Sequence, residues 1–177
     1  MSGTRALAYT HDIVRGRTAV SMIGVVFFIL ATALGSYVRI SVPGSPVPIT
    51  LQTFFALMAG AVLGRKLGLA SMIGYLAFGG VFLAGPTGGY VVGFAVAAYL
   101  TGYLLERRVP AIVSFAAGSA AIYACGAAWL ALAYAFSPLH AVTLGVLPFV
   151  PGDLVKIVLA ALIYSKISKR TKEIFSV

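Results

Sequence analysis

Charge is what this chain has least of. Only 10% of its 177 residues are Asp, Glu, Lys or Arg, against 60% apolar residues and a mean hydropathy of +1.02. A water-soluble domain carries about 25% charged residues, because its surface must be wetted. This chain has too few to cover a globule, so lipid must be its main solvent. Asparagine is absent altogether, and Cys125 is the single cysteine, which excludes an internal disulfide and reads as a small packing residue. The two histidines, His11 and His140, have no second ligand or nucleophile near them in sequence, so neither a zinc site nor a Ser-His dyad can be assembled around them. Nor is there a Walker A loop: Gly85-Pro86-Thr87-Gly88-Gly89 lacks the following Gly-Lys-Ser/Thr, so this chain cannot hydrolyse a nucleotide by that route. No metal, no cofactor and no enzymatic chemistry are expected. No tandem repeat divides the chain, and no linker sets off a soluble domain, so residues 1–177 read as one membrane domain.

What remains is a series of charge-free runs. About 20 apolar residues cross a hydrocarbon core of roughly 30 Å. Six helices are expected in an all-α, polytopic bundle: Thr18 to Val38, Ile49 to Gly64, two between Leu67 and Leu105 separated at Gly85–Gly89, Ala111 to Phe136, and Phe149 to Ser165. Residues 1–17 and 166–177 read as basic tails, and the first apolar run, too long for a signal-peptide core, as a retained helix. The basic residues test this count, because Lys and Arg accumulate in short cytoplasmic loops. With both termini inside, that face receives Arg5, Arg15, Arg17, Arg65, Lys66, Arg107, Arg108, Lys166, Lys169, Arg170 and Lys172. Only Arg39 falls outside and only Lys156 within the membrane. The net charge of +9 therefore reads as topology and contact with anionic membrane lipid, with no nucleic acid partner.

Asp153 and Lys156 are the two ionisable residues inside an apolar span. A charge at the bilayer centre costs about 3 kcal/mol, so one that is present usually faces a partner or a substrate. Two readings stand. In one, Asp153 lies in the first turn of the last helix, favoured by its free N–H groups, and Lys156 snorkels to the interface while the two neutralise each other. In the other, the pair binds a polar solute, the lysine as donor and the carboxylate as acceptor for N–H groups. Three outer segments, 39–53, Gly85–Tyr90 and His140–Gly152, would bound the same compartment. A proton-coupled small-molecule transporter with Asp153 as proton carrier is the alternative function, and an intramembrane enzyme has no visible nucleophile-base pair.

Three motifs carry a resemblance. The segments Ser45-Pro46-Val47-Pro48-Ile49-Thr50-Leu51-Gln52-Thr53, Gly85-Pro86-Thr87-Gly88-Gly89-Tyr90 and Pro148-Phe149-Val150-Pro151-Gly152-Asp153-Leu154-Val155-Lys156 occur in the order and spacing of the BioY family, which the chain resembles over about residues 18–165. The family comprises biotin-binding S components of energy-coupling factor (ECF) transporters. The resemblance implies six membrane helices in the cytoplasmic membrane of a prokaryote and a biotin site near the outer face. It also implies separate partner chains, a transmembrane coupling subunit and two ABC ATPases; a homodimer is left open. Carried over by position, it places Asp153 and Lys156 at biotin, the ureido ring being the natural partner of the aspartate. Which end of biotin Lys156 holds stays open. Pro86, Thr87, Gly88, Gly89 and Tyr90 would wall the site, with Thr50 and Gln52 in a lid and Tyr75 as a further wall; for Thr50, Gln52 and Tyr75, helix-end bonding or packing is the competing role. Gly79–Ala84 is shorter than the family's usual glycine-rich stretch. Without asparagine, any side-chain amide contact to the ureido group falls to Gln52.

Overall fold

The computed structural model describes the backbone of residues 3–78 and 85–175, and side chains from Thr18 onward except at Lys172. The expected short stretch Gly79–Ala84 and the side chains of Arg5, Arg15, Arg17 and Lys172 lie outside these. The architecture is helical: α1 (Gly3–Gly35), α2 (Gln52–Phe78), α3 (Gly88–Glu106), α4 (Ala111–Ala133), α5 (Pro138–Gly145) and α6 (Val150–Phe175). A two-stranded hairpin, β1 (Arg39–Ile40) and β2 (Ile49–Thr50), precedes α2. The expected tails are thus largely helix, since α1 starts at Gly3 and α6 runs to Phe175. No proline interrupts either extension, and Ile167, Thr171 and Phe175 still pack inward.

Four helices are long and apolar enough to cross a membrane, and the bent pair α5 and α6 makes a fifth candidate. The difference from the expected six lies in α2. Its backbone breaks at Gly64, where φ is 79° and ψ 172°, a conformation open in practice only to glycine. Beyond the break the chain folds back on itself. Gln52 and Tyr75 would stand about 34 Å apart along a straight helix, yet the Gln52 amide donates a hydrogen bond to the Tyr75 hydroxyl. A Cβ on Gly68 would lie 2.6 Å from the Cα of Gly60. Residues 52–63 and 65–78 are therefore two antiparallel arms, which contact closely only because both glycines lack side chains. Gly60 meets α3 just as tightly: a Cβ there would lie 2.0 Å from the Ala98 carbonyl oxygen.

The core runs through α2, α3 and α4 and is completed by the inner face of α6, with Leu57, Met72, Ala98, Phe115, Ile122, Leu130 and Ala160 fully or almost fully buried. The outward faces are apolar too. Ile23, Phe27, Leu30 and Leu34 on α1 and Leu132 on α4 are more than half exposed, which water would not tolerate as a continuous surface and acyl chains would. The molecule is a multi-pass membrane protein.

At one end the hairpin folds over the bundle. Val42-Pro43-Gly44-Ser45 is a type II turn, with proline at its second position, Gly44 at φ 80°, and the Ser45 N–H donating to the Val42 carbonyl at 3.1 Å. Ser45 Oγ then donates to the Leu144 carbonyl in the last turn of α5 at 2.8 Å, tying the hairpin to that helix. The expected outer loops are thus more ordered than proline content alone predicts: the first holds β1 and β2, and the third holds α5, capped by Ser137, whose Oγ accepts from the His140 N–H.

Candidate functional site

Beneath the hairpin lies a cavity of about 380 Å³, within the range of about 300–1,000 Å³ usual for small-molecule sites. Its walls come from every layer of the bundle: Ser36 and Tyr37 after α1, Arg39, Val47, Pro48, Ile49 and Thr50 of the hairpin region, Gln52 and Thr53 of α2, and Thr87 before α3. Tyr90, Val91 and Phe94 of α3, Ile122 and Tyr123 of α4, Phe149, and Asp153 and Lys156 of α6 close it. The lining combines apolar and aromatic side chains with the charged pair.

The charged residues form a hydrogen-bond network. Asp153, buried in the first turns of α6, receives Lys156 Nζ at 2.6 Å and Thr53 Oγ1 at 3.4 Å on Oδ1, and Tyr123 Oη at 2.6 Å on Oδ2. Lys156 Nζ also donates to the Thr50 carbonyl at 2.7 Å and to Thr53 Oγ1 at 3.0 Å. An ammonium has three N–H donors, and all three are engaged. A carboxylate has about four acceptor positions, so with three donors Asp153 keeps about one, on Oδ2, and the residue lines the cavity. Among buried groups this satisfaction is what allows two charges to persist in an apolar span. Both readings of the pair thus meet in one geometry: the residues do neutralise each other, and they do so on a cavity wall.

The expected site residues separate into two groups. Thr50, Gln52, Thr87, Tyr90, Asp153 and Lys156 line the cavity together. Pro86, Gly88, Gly89 and Tyr75 are not among its lining residues. Tyr75 lies behind Gln52 and fixes its amide, while Thr50 Oγ1 donates to Gln52 Oε1 at 3.2 Å. Gly89 admits α4, since a Cβ there would lie 2.2 Å from the Cβ of Trp129. The Trp129 indole N–H donates to the Gly85 carbonyl at 3.1 Å, so α4 holds the turn that presents Thr87. Tyr90 serves both purposes: its ring lines the cavity and packs against Gly126, and its hydroxyl donates to the Gly145 carbonyl at 2.6 Å. Tyr123, Thr53, Arg39, Phe94 and Phe149 are lining residues not among the expected site residues, although Thr53 and Phe149 fall within the motifs that carry the family resemblance. For Arg39 a signal existed, as the lone basic residue outside the basic face; a tyrosine or threonine in an apolar span carries none. Among the described residues no three His, Cys, Asp or Glu side chains gather into a metal site.

Fold and cavity together define a membrane-embedded helical protein with a solute-sized site under a β-hairpin at one end of the bundle. The chain belongs to the BioY family, whose family model matches residues 8–173. It is 35% identical over 160 residues to a probable biotin transporter BioY of Pyrococcus horikoshii, covering 83% of this chain and 95% of that one. It is 37% identical over 146 residues to the biotin transporter BioY of Thermotoga maritima, covering 73% and 86%. Its fold is similar to the crystal structure of the S component for biotin from an ECF-type ABC transporter, with a TM-score of 0.74, 24% identity, and coverage of 96% of this chain and 95% of that one.

Proposed function

We propose that this chain binds biotin from outside the cytoplasmic membrane and serves in its uptake as the S component of an ECF transporter. The observation that carries the reading is the acceptor position that Asp153 keeps, in a cavity also lined by Tyr90, Phe94 and Phe149, in a chain whose relatives are biotin transporters. A ureido N–H matches that acceptor, and the apolar sulfur-containing ring fused to the ureido ring suits Tyr90, Phe94 and Phe149. Lys156 has no donor left for ligand while it holds Thr50, Thr53 and Asp153, so its part is to position the carboxylate and the start of α2. The valerate carboxylate then points toward Arg39 at the exposed mouth.

Six crossings follow if the two arms of α2 count separately and α5 with α6 counts as one. The arms are short, about 18 and 21 Å, and suit a locally thinned bilayer. Both termini then lie in the cytoplasm with the basic turns at Gly64 and Glu106. Energy would come from a coupling subunit and two ATPases in separate chains. The ion pair at 2.6 Å engages the carboxylate that a proton-carrying mechanism would need unencumbered, which favours the binding reading.

Calorimetry of purified protein with biotin tests this directly. Saturable binding by the wild type and its loss in Asp153→Ala are expected. Heat-silent titration of folded wild type would remove the substrate; unchanged affinity in Asp153→Ala would remove the site.

A further inference from the structure

At the end of the bundle opposite the cavity, two tight turns bring four cations together. Arg65 and Lys66 follow the break at Gly64, and Arg107 and Arg108 follow α3, with Arg108 at φ 61°. The turns are drawn together because Gly102 leaves room for the Arg65 backbone, to which a Cβ would come within 2.5 Å. Glu106 is the one acid in these two turns. It pairs with Arg65 Nε at 3.1 Å and accepts the Arg65 backbone N–H at 2.9 Å. Lys66, Arg107 and Arg108 have no ion pair among the described residues.

The patch has an ordered centre. The Tyr103 ring lies under both the Arg65 guanidinium, 5.6 Å from its centroid, and the Arg107 guanidinium, 5.1 Å away. Tyr99 stacks on Tyr103 at 6.3 Å with the planes 7° apart. Above them on the same flank of α3 stand Val96 and Val92, both exposed. An apolar lane one helix-face wide therefore runs along the bundle and ends at two guanidiniums fixed by an aromatic ring.

We propose that this lane and its cationic end form a binding site for one anionic phospholipid, acyl chain along Val92, Val96 and Tyr99, headgroup phosphate at Arg65 and Arg107. The charge decides the class of ligand. Four cations against one carboxylate leave a net +3 at the interface, and guanidiniums held apart on a ring present paired N–H donors to a phosphate. An acyl tail, not a free phosphate, explains why the charged patch continues into exposed valines and a stacked tyrosine. The site is independent of the biotin reading, since no residue of it lines the cavity.

Native mass spectrometry of the full chain, from mixed micelles of phosphatidylglycerol and phosphatidylcholine, tests this. The wild type is expected to retain one phosphatidylglycerol preferentially. Arg107→Gln with Lys66→Gln removes about 1 kcal/mol of attraction per cation, a loss of roughly tenfold or more in retention. Lys166→Gln with Lys169→Gln removes the same charge elsewhere and should leave retention near wild type. Tyr103→Leu keeps every charge but frees the guanidiniums, and should cut the preference for phosphatidylglycerol severalfold. Equal loss in both double variants would reduce the effect to bulk charge and overturn the proposal. So would retention by the Arg107 and Lys66 variant, or displacement of the lipid by glycerol phosphate alone. A site that ignores both lipids but is protected by a coupling subunit in a reconstituted complex would belong to a protein partner, and would overturn it as well.

Discussion

Lys156 carries three donors and meets three acceptors, whereas Asp153 meets three donors and offers about four acceptor positions. That difference of one hydrogen bond sets the roles apart and leads to distinguishable variants. Asp153→Ala leaves a largely buried ammonium without its counter-charge, which costs up to about 3 kcal/mol, and should lower the thermal midpoint by up to roughly 10 °C. Adding Lys156→Met removes the stranded charge. The double variant should regain most of the midpoint in a melting experiment yet still fail to bind biotin, separating stability from recognition. Tyr123→Phe deletes one charge-assisted hydrogen bond, worth about 1.5–3 kcal/mol, and should weaken biotin binding by about tenfold or more in calorimetry; an unchanged Kd would remove Tyr123 from the network. The charged pair was legible in the sequence because charge is rare in an apolar span. Tyr123 and Thr53 were not, since nothing in a row of apolar residues tells a hydroxyl facing a cavity from one bonded to its own helix.

Among the elements, α2 and the hairpin show where local signals succeed and fail. Prolines and glycines at 43–48 and 85–89 mark breaks whose chemistry is local, so their positions could be read in advance. The Pro43-Gly44 turn has the signature of its type. Gly64, beside Arg65 and Lys66, was legible as a boundary. The tightness of the return was not, because it depends on Gly60 facing both Gly68 and Ala98, a long-range coincidence. Gly64→Ala forces an L residue into a conformation open in practice only to glycine and should destabilise by about 1–3 kcal/mol, lowering the midpoint by several degrees. Biotin affinity of the folded fraction should stay as it is, because the turn lies far from the cavity. Ser45→Ala acts at the other end. It removes the bond to the Leu144 carbonyl that holds the hairpin down, and should speed biotin dissociation severalfold in a stopped-flow chase with stability barely altered. A slower or unchanged rate would mean that the hairpin is not what retains the ligand.

For the whole molecule, the proposed function depends on which end faces out, and the distribution of charge gives an expectation that can be tested. The cavity end holds Arg39 as its basic residue beside Asp153 and Lys156; the opposite end gathers Arg65, Lys66, Arg107 and Arg108. Cytoplasmic loops collect such residues, so the proposed uptake function expects the cavity to face outward. Because Cys125 is the single cysteine, Cys125→Ala gives a background without thiols into which one reporter can be placed at a time. Tyr37 is 82% exposed at the mouth of the cavity. In intact cells Tyr37→Cys should react with a membrane-impermeant maleimide, and saturating biotin should slow that reaction as it fills the mouth. Lys66→Cys and Arg108→Cys should react only after the cells are permeabilised. The reverse pattern would place the cavity toward the cytoplasm, where a binding subunit could not capture an external vitamin, and would turn the charge argument and the uptake reading over together.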